Sequence, residues 1–322
     1  RIDDDRKLAA ASKKLWRNIV DKKLYLTGGI GSTYAGEAFT GEYDLPNEEA
    51  YAETCAAIGL IFFAYRMFLL EKDAEYIDVL ERALYNGAMS GASLDGERFF
   101  YVNPLACDPS GTLANGKRLE PRPEWFGCSC CPPNVARLRA SLGQYFYECD
   151  QENIWINLYN ENEFEHIIGN TPVVLRQETN YPWGGKIKIT VNPASPVKFK
   201  LHLRIPKWCE TAHLSLNGNG VNMDIDKGYA VLDRNWTADD RLELNLDMPV
   251  QMVYANPKVR QDCGRVALQR GPLVYCLEEV DNGPDLNTIR IPRNVVFETE
   301  MENNLLNGVV TLTVAAERMV QA

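Results

Sequence analysis

The sequence predicts a multidomain α + β protein whose first part is helical and whose second part is built from strands. Its 322 residues are enough for two or three packed domains. Apolar residues recur at helical spacing up to about residue 150, whereas from Asn153 onward they alternate with polar residues. We therefore expect a helical domain over residues 1–150 and a β-sandwich over 151–250. Residues 251–322 should form a second β-sandwich or an incomplete continuation of the first.

The first predicted helix carries an apolar stripe made of Leu8, Leu15, Trp16 and Ile19. A glycine-rich loop over residues 27–32 follows it. Residues 54–70 form a strongly apolar segment, which predicts a helix buried on several sides. Its longest apolar stretch is interrupted by Tyr65 and Arg66, so we expect no membrane span.

Two further helices are predicted in the first half. One covers the apolar positions between Tyr76 and Leu84 and should be closed by Gly87. The other should begin at Asn134, a good N-cap after two prolines, and run to about Glu148. So few helices cannot close a helical toroid, and the helical part is therefore expected to be the end of a larger domain.

Alternating apolar residues predict strands throughout the second half. Turn signals at residues 183–185 and 217–220 separate the runs. The alternation includes residues 186–191 and the apolar positions Ile154, Ile156, Leu158, Phe199, Leu201, Leu203, Ile205, Leu242, Leu244 and Leu246. Several short strands with such turns are typical of one or two β-sandwiches.

Charge and cysteine content limit the classes of function. A formal net charge of -10 argues against a nucleic-acid partner, which usually requires a basic face. The nine cysteines are an odd number, and three of them fall within residues 128–131. This distribution favours metal or thiol chemistry in a reducing compartment over structural disulfides. We therefore expect a cytoplasmic location, and a periplasmic location is the alternative.

The segment around Cys130 and Cys131 is the most informative part of the sequence. Vicinal thiols bond to each other with strain, but both can face one soft cation, and Pro132 and Pro133 restrict the backbone beside them. Zinc prefers thiolate, imidazole and carboxylate ligands. All three histidines lie in the β half, so ligands from the helical half must be Cys, Asp or Glu. Two alternatives remain, namely inert buried cysteines and a redox switch between Cys128 and Cys131.

Other candidate residues are less specific by themselves. Glu53 and Cys55 would point about 200° apart on a regular helix. Both can reach one metal only if Glu53 precedes the helix, with Thr54 as its cap. Glu37 follows a flexible loop in a region crowded with carboxylates, and spacing cannot choose among them. Tyr101 lies in an aromatic run, for which core packing is the first interpretation.

Four motifs occur here in order, namely Thr27-Gly28-Gly29-Ile30-Gly31-Ser32, Gly36-Glu37-Ala38-Phe39, Tyr51-Ala52-Glu53-Thr54-Cys55 and Cys130-Cys131-Pro132-Pro133-Asn134. Together they resemble glycoside hydrolase family 127, the β-L-arabinofuranosidases within a family once called domain of unknown function 1680. The resemblance is close from about residue 25 to 147 and holds only in outline in the β half.

The resemblance implies a fold and a set of roles. The helical half is expected to be the C-terminal part of an (α/α)6 barrel, followed by the β-sandwich domains. Cys130 is implied as the nucleophile and Glu37 as the general acid/base, while Tyr101 and Glu81 match positions that line the sugar pocket. The implied zinc ligands are Glu53, Cys55, Cys130 and Cys131.

The implied activity is hydrolysis of β-linked L-arabinofuranose, with retention, from an oligosaccharide or glycan. Tyr34 and Ala35 stand where some relatives carry histidines, so the same chemistry on another cell-wall sugar is an alternative. A non-catalytic carbohydrate-binding protein with a structural zinc is another, and a thiol oxidoreductase with a Cys128–Cys131 disulfide is a third. The sequence leaves the oligomeric state open, a homodimer included.

Overall fold

A computed structural model describes residues 5–107, 122–125, 127–128 and 130–320 of the chain. The change of period near residue 150 coincides with a change from helices to strands, which confirms the α + β prediction. The α-helices are α1 (Arg6–Lys22), α2 (Thr54–Glu71), α3 (Ala74–Arg82), α4 (Cys131–Ala140) and α5 (Glu279–Asn282).

Helix α1 is capped by Asp5, whose side chain accepts hydrogen bonds from the first-turn amides. Trp16 is buried, and its ring packs against Tyr76 with centroids 4.9 Å apart. The other residues of the predicted stripe differ in burial: Leu8 and Leu15 are 66% and 61% exposed, whereas Ile19 packs against the helical core.

Helix α2 confirms the predicted apolar helix and ends at Glu71, one residue beyond the predicted boundary. It packs against α3 and α4 in the helical core. By length and composition it is a candidate membrane span, but 50% of that stretch is buried inside this structure. Core packing therefore accounts for its apolar character.

The predicted end of α3 at Gly87 is wrong. The helix continues without a break as a π-helical segment, Ala83–Ala88, and then as a short 3-10 segment, Met89–Gly91. Gly87 is buried inside this continuation, where an added Cβ would lie 3.1 Å from the Cβ of Ala57. Its glycine serves close helix packing rather than termination.

Helix α4 differs from its prediction at both ends. It begins at Cys131, because a first turn needs no backbone N–H donors and so accommodates Pro132 and Pro133. Asn134 therefore lies inside the helix instead of capping it. The helix ends at Ala140, and a 3-10 turn over Leu142–Tyr145 leads into the first strand, where continued helix had been predicted.

Eleven strands between residues 147 and 246 form the predicted sandwich. They are β1 (Tyr147–Cys149), β2 (Asn153–Ile156), β3 (Asn162–Ile168), β4 (Thr171–Thr179), β5 (Lys186–Pro193), β6 (Val197–Arg204), β7 (Ala212–Leu216), β8 (Asn219–Val221), β9 (Ile225–Asp226), β10 (Tyr229–Trp236) and β11 (Asp240–Leu246). One sheet has the order β1-β2-β6-β10-β9 and the other β3-β4-β5-β11-β7-β8. Inward-facing residues of both sheets share one hydrophobic core, as expected for a sandwich.

The two sheets differ in strand direction. All pairs of the six-stranded sheet are antiparallel, whereas β2 and β6 pair in parallel, with Ile154 opposite Leu201. Beyond residue 249 the described sheets are smaller. Strands β12 (Val250–Val253), β13 (Ala267–Arg270) and β14 (Leu273–Tyr275) form one sheet. The remaining pairs are β15 (Ile289–Arg290) with β18 (Glu317–Arg318), and β16 (Glu298–Glu302) with β17 (Val309–Thr313).

Candidate metal and catalytic site

The four residues implied as metal ligands meet at one point. One oxygen or sulfur atom from each of Glu53, Cys55, Cys130 and Cys131 lies within 4.8 Å of the others. The Cys131 Sγ is 3.5 Å from the Cys55 Sγ and 3.7 Å from the Cys130 Sγ. The Glu53 Oε1 lies 3.4 Å from the Cys130 Sγ and 3.7 Å from the Cys131 Sγ.

The start of α2 explains how Glu53 and Cys55 face the same point. Glu53 precedes the helix with φ −57° and ψ 138°, outside helical geometry, whereas Cys55 lies in the first turn. Thr54 is not the cap that the sequence suggested. It is the first helical residue, and its hydroxyl donates to the Phe100 carbonyl at 2.8 Å. The Thr54 amide donates to the Tyr101 carbonyl, which ties the start of α2 to the aromatic segment.

Two helices begin at this cluster. Cys55 lies in the first turn of α2, and Cys131 is the first residue of α4. Helix N-termini carry partial positive charge, which favours anionic ligands such as thiolates and carboxylates. The two helix starts thus provide an environment suited to the charged forms of these side chains.

Burial acts in the opposite direction on the sulfurs. It raises the pKa of the Cys55 thiol to about 11, although a hydrogen bond from the Asn134 side chain lowers it somewhat. Burial also raises the pKa of the Cys131 thiol far above its usual range, and the neighbouring Cys55 adds to this effect. Without a cation, both groups are therefore neutral at pH 7, and a bound cation is what would hold them as thiolates.

The donor set and spacing fit zinc. A tetrahedral zinc with bonds of about 2.3 Å to sulfur holds its sulfurs about 3.8 Å apart. The two sulfur separations of 3.5 and 3.7 Å are close to that value. The carboxylate of Glu53 among three thiols is not typical of inert core cysteines, and a disulfide would require sulfurs about 2.0 Å apart. Cys128 is exposed, whereas Cys131 is buried against Cys55 and Cys130.

Glu37 forms the second part of the site. It has a positive φ of 50° and follows Gly36, so the chain turns sharply at the carboxylate. Its Oε1 accepts hydrogen bonds from the hydroxyls of Tyr51 at 2.7 Å and Tyr101 at 3.3 Å. Tyr101 also hydrogen-bonds the side chain of Cys130. One tyrosine therefore contacts both the exposed carboxylate and the sulfur cluster.

Both phenols remain protonated donors over the ordinary pH range. Burial is the main reason that the pKa of Tyr51 is raised well above its usual value, and its hydrogen bond to Glu37 contributes. Burial likewise raises the pKa of Tyr101, with contributions from Cys130 and Glu53.

Two of the neighbouring carboxylates that the sequence could not distinguish have other partners. Glu42 forms an exposed ion pair with Lys22 at 2.6 Å. Asp44 accepts a hydrogen bond from Gln261 at 3.0 Å. Glu37 is thus the carboxylate of this region that the two tyrosines connect to the cluster.

Glu81, by contrast, joins α3 to the sandwich. Its side chain is 1% exposed and accepts hydrogen bonds from the Tyr181 hydroxyl at 2.5 Å, the Trp208 indole at 3.3 Å and the Arg204 guanidinium. Arg204 is fully buried and also pairs with Asp78 at 2.7 Å. The described contacts of Glu81 are therefore structural, and its role in a sugar pocket stays a prediction.

Tyr51 and Asn134 belong to the site but were not singled out from the sequence. Tyr51 stands two residues before Glu53, so its place in the same motif was the available signal. Asn134 was interpreted as a helix cap, whereas its side chain hydrogen-bonds Cys55. With α4 starting at Cys131, Asn134 falls one helical turn from Cys130, and this position was hidden by the wrong helix boundary.

Three family models match successive parts of the chain. Residues 1–144 match the β-L-arabinofuranosidase GH127 catalytic domain. Residues 153–248 match the β-L-arabinofuranosidase GH127 middle domain. Residues 250–315 match the glycoside hydrolase family 127 C-terminal domain.

Individual proteins of family 127 are also similar to the chain. The chain is 42% identical to a non-reducing end β-L-arabinofuranosidase from Bifidobacterium longum subsp. longum, over 99% of this chain and 50% of that protein. It resembles the crystal structure of a GH127 β-L-arabinofuranosidase from Geobacillus stearothermophilus T6, with a TM-score of 0.95 and 49% identity over 98% of this chain and 50% of that one. A solved GH127 β-arabinofuranosidase matches with a TM-score of 0.90 and 42% identity, over 96% of this chain and 50% of that one. The chain thus spans about half the length of these relatives.

Proposed function

The chain belongs to glycoside hydrolase family 127, and we propose that it carries the metal ligands, nucleophile and acid/base of a retaining β-L-arabinofuranosidase. The observation that carries this proposal is the position of Tyr101. Its side chain hydrogen-bonds both Glu37 and Cys130, which makes these two groups neighbours in one site. We further propose that the helices form part of an (α/α)6 barrel.

Glu53, Cys55, Cys130 and Cys131 would hold one zinc ion. Their donor atoms and separations suit it, as the metal-site geometry indicates. When bound, zinc keeps the sulfurs as thiolates near neutral pH despite their burial. Cys131 is fully buried and is suited to act as a metal ligand only. Cys130 is half-buried and lies beside Tyr101, so it is suited to act as the nucleophile as well.

In the first step, the Cys130 sulfur attacks the anomeric carbon of the arabinofuranosyl unit. Glu37 donates its proton to the leaving-group oxygen as the carbon–oxygen bond breaks, and a carbon–sulfur bond forms. In the second step, the Glu37 carboxylate takes a proton from water, whose oxygen attacks the same carbon and displaces the sulfur. Two displacements at one carbon retain its configuration.

Tyr34 lies beside Glu37, because its carbonyl accepts a hydrogen bond from the Glu37 amide at 3.1 Å, and it is 50% exposed. Its ring packs edge-on to Tyr51 with centroids 5.7 Å apart. An exposed aromatic ring beside the acid/base suits contact with a sugar face. This feature is compatible with a glycan as the leaving group, so the substrate class proposed is an arabinofuranosyl oligosaccharide or glycan.

Trapping of the covalent intermediate tests the proposed nucleophile. The full chain is denatured during turnover of a β-L-arabinofuranoside, and its peptides are analysed by mass spectrometry. We expect one added pentosyl residue on the peptide containing Cys130. Cys130→Ala should lower kcat at least about 1000-fold, whereas Cys128→Ser, at an exposed cysteine near the cluster, should leave it unchanged.

The stereochemical outcome provides an independent measurement. Proton NMR of the first-released sugar should show the β anomer before mutarotation. Normal turnover by Cys130→Ala, with zinc retained, would rule out the nucleophile assignment. Bound zinc without any glycoside turnover, measured at the full length of the relatives, would instead favour a carbohydrate-binding protein with a structural metal.

A further inference from the structure

We infer that Tyr51 is a positioning residue that orients Glu37 for proton donation to the leaving group. The inference rests on the proposed function and extends it to a residue without an assigned role. Tyr51 is 6% exposed, and its hydroxyl lies 2.7 Å from the Glu37 Oε1, shorter than the 3.3 Å from Tyr101 to the same oxygen. A hydrogen bond from a hydroxyl to a carboxylate is among the stronger kinds in proteins.

Within the part of the chain that the structure describes, the Glu37 side chain receives hydrogen bonds from Tyr51 and Tyr101. The residue is exposed, and its backbone has a φ of +50°, next to Gly36 at +74°. An exposed glutamate side chain without such a contact rotates freely about its torsions. Binding of Oε1 by a buried phenol removes much of this freedom before substrate arrives.

Tyr51 is itself held firmly enough for this role. Its ring packs against Tyr34 at 5.7 Å and Tyr101 at 6.1 Å between centroids. Its carbonyl accepts a hydrogen bond from the Asn103 amide at 3.3 Å. The following amide, of Ala52, donates to Gly31 at 2.8 Å. Both sides of the residue are therefore fixed to neighbouring segments.

The hydrogen bonds to Oε1 also determine which carboxyl oxygen of Glu37 carries the proton in its acid form. The Tyr51 hydroxyl donates to Oε1 at 2.7 Å and the Tyr101 hydroxyl lies 3.3 Å from the same oxygen, which disfavours a proton on that atom. In the acid form of Glu37 the proton is therefore on Oε2, the oxygen that the two phenols leave available. Proton transfer from Oε2 to the leaving oxygen leaves the carboxylate held through Oε1, ready to accept a proton from water in the second step.

The variant Tyr51→Phe tests this role because it removes the hydroxyl and keeps the ring. Tyr25→Phe is the matched control, since Tyr25 is also buried in the helical half and its hydroxyl binds the Pro46 carbonyl at 3.1 Å. The readout is kcat/KM for two β-L-arabinofuranosides. One is a nitrophenyl glycoside, whose nitrophenolate leaves without protonation, and the other is a methyl glycoside, whose methoxide must be protonated as it leaves.

We expect Tyr51→Phe to lower kcat/KM about 10- to 100-fold for the methyl glycoside and no more than about threefold for the nitrophenyl glycoside, because only the former depends on proton donation. Zinc content should equal that of the wild type. Equal losses on both substrates, no loss on either, or loss of zinc would overturn the inference. Inactivity of the wild type on both glycosides, at the full length of the relatives, would overturn the proposed function itself, whereas an active wild type shows that a failed prediction concerns Tyr51 alone.

Discussion

The sulfur of Cys55 lies 3.5 Å from the sulfur of Cys131, although the two residues are 76 positions apart in the chain. Each stands in the first turn of a helix, and α2 and α4 pack against each other from this point. The metal site therefore depends on the packing of two helices, and a bound cation would in turn hold their N-terminal ends together.

Replacement of a buried ligand should consequently affect both metal content and stability. We expect about one zinc per chain in the wild type after dialysis and much less in Cys131→Ser. Thermal unfolding of the variant should occur at lower temperature, because a ligand that binds the folded state stabilises it. Elemental analysis and calorimetry measure the two effects.

Cys209→Ser is the matched control for this prediction. Cys209 is also buried, but it lies after β6 in the sandwich, where its sulfur contacts the Thr211 carbonyl. This variant should keep its zinc. A full complement of zinc in Cys131→Ser would contradict the ligand assignment.

Glu81→Gln should destabilise the fold through Arg204. Burial opposes the charge of Arg204, but Glu81 and Asp78 hold the pKa of the guanidinium well above its ordinary value. Loss of one buried carboxylate leaves that charge poorly compensated, at a cost of about 3–5 kcal/mol. Denaturant unfolding measures the free-energy change.

The exposed pair Lys186–Glu243 provides the comparison for Glu81, because Glu243→Gln makes the same chemical change at the surface. We expect a change of about 0–1 kcal/mol there. If Glu81→Gln instead kept full stability and raised KM for an arabinofuranoside, Glu81 would line the sugar pocket, as the family resemblance implies.

The sequence predicted the strands of the sandwich well because alternation is a local signal. Ile187, Ile189 and Val191 are buried on β5, as the period of two requires. The sequence also showed that Glu53 and Cys55 can reach one metal only if Glu53 precedes the helix. Both conclusions depend on geometry within a few residues.

Features set by tertiary packing could not be obtained in this way. Glu81 and Arg204 are 123 positions apart, so nothing near Glu81 shows that its partner is a buried arginine. The start of α4 was misplaced because prolines can open a helix as well as precede one. Gly87 resembled a helix end in the sequence, whereas its small size serves contact with Ala57.

Gly28→Ala should destabilise the protein more than Gly218→Ala, although the two glycines have similar backbone conformations. Gly28 has a φ of +77°, and an added Cβ would lie 2.5 Å from the Cα of Ala83. Gly218 has a φ of +81° with open space around it. Both replacements incur backbone strain, but overpacking adds about 1–3 kcal/mol at Gly28 alone. Equal free energies of unfolding for the two variants would contradict the close approach.

His202 should make stability depend on pH in the acid range. Its ring stacks on Trp155, and its Nε2 lies 3.0 Å from the Asn153 Oδ1. Burial, with a contribution from Lys200, lowers its pKa to about 4, whereas an unfolded histidine titrates near 6.5. Since the unfolded state binds more protons between these values, stability should fall by about 2 kcal/mol, after allowance for solvent screening, as pH decreases from about 6.5 to 4. Unfolding curves measured across this range should show no such pH dependence of stability in His202→Phe. The control His213→Gln should keep the pH dependence of the wild type. If His202→Phe also kept it, groups other than His202 would be responsible.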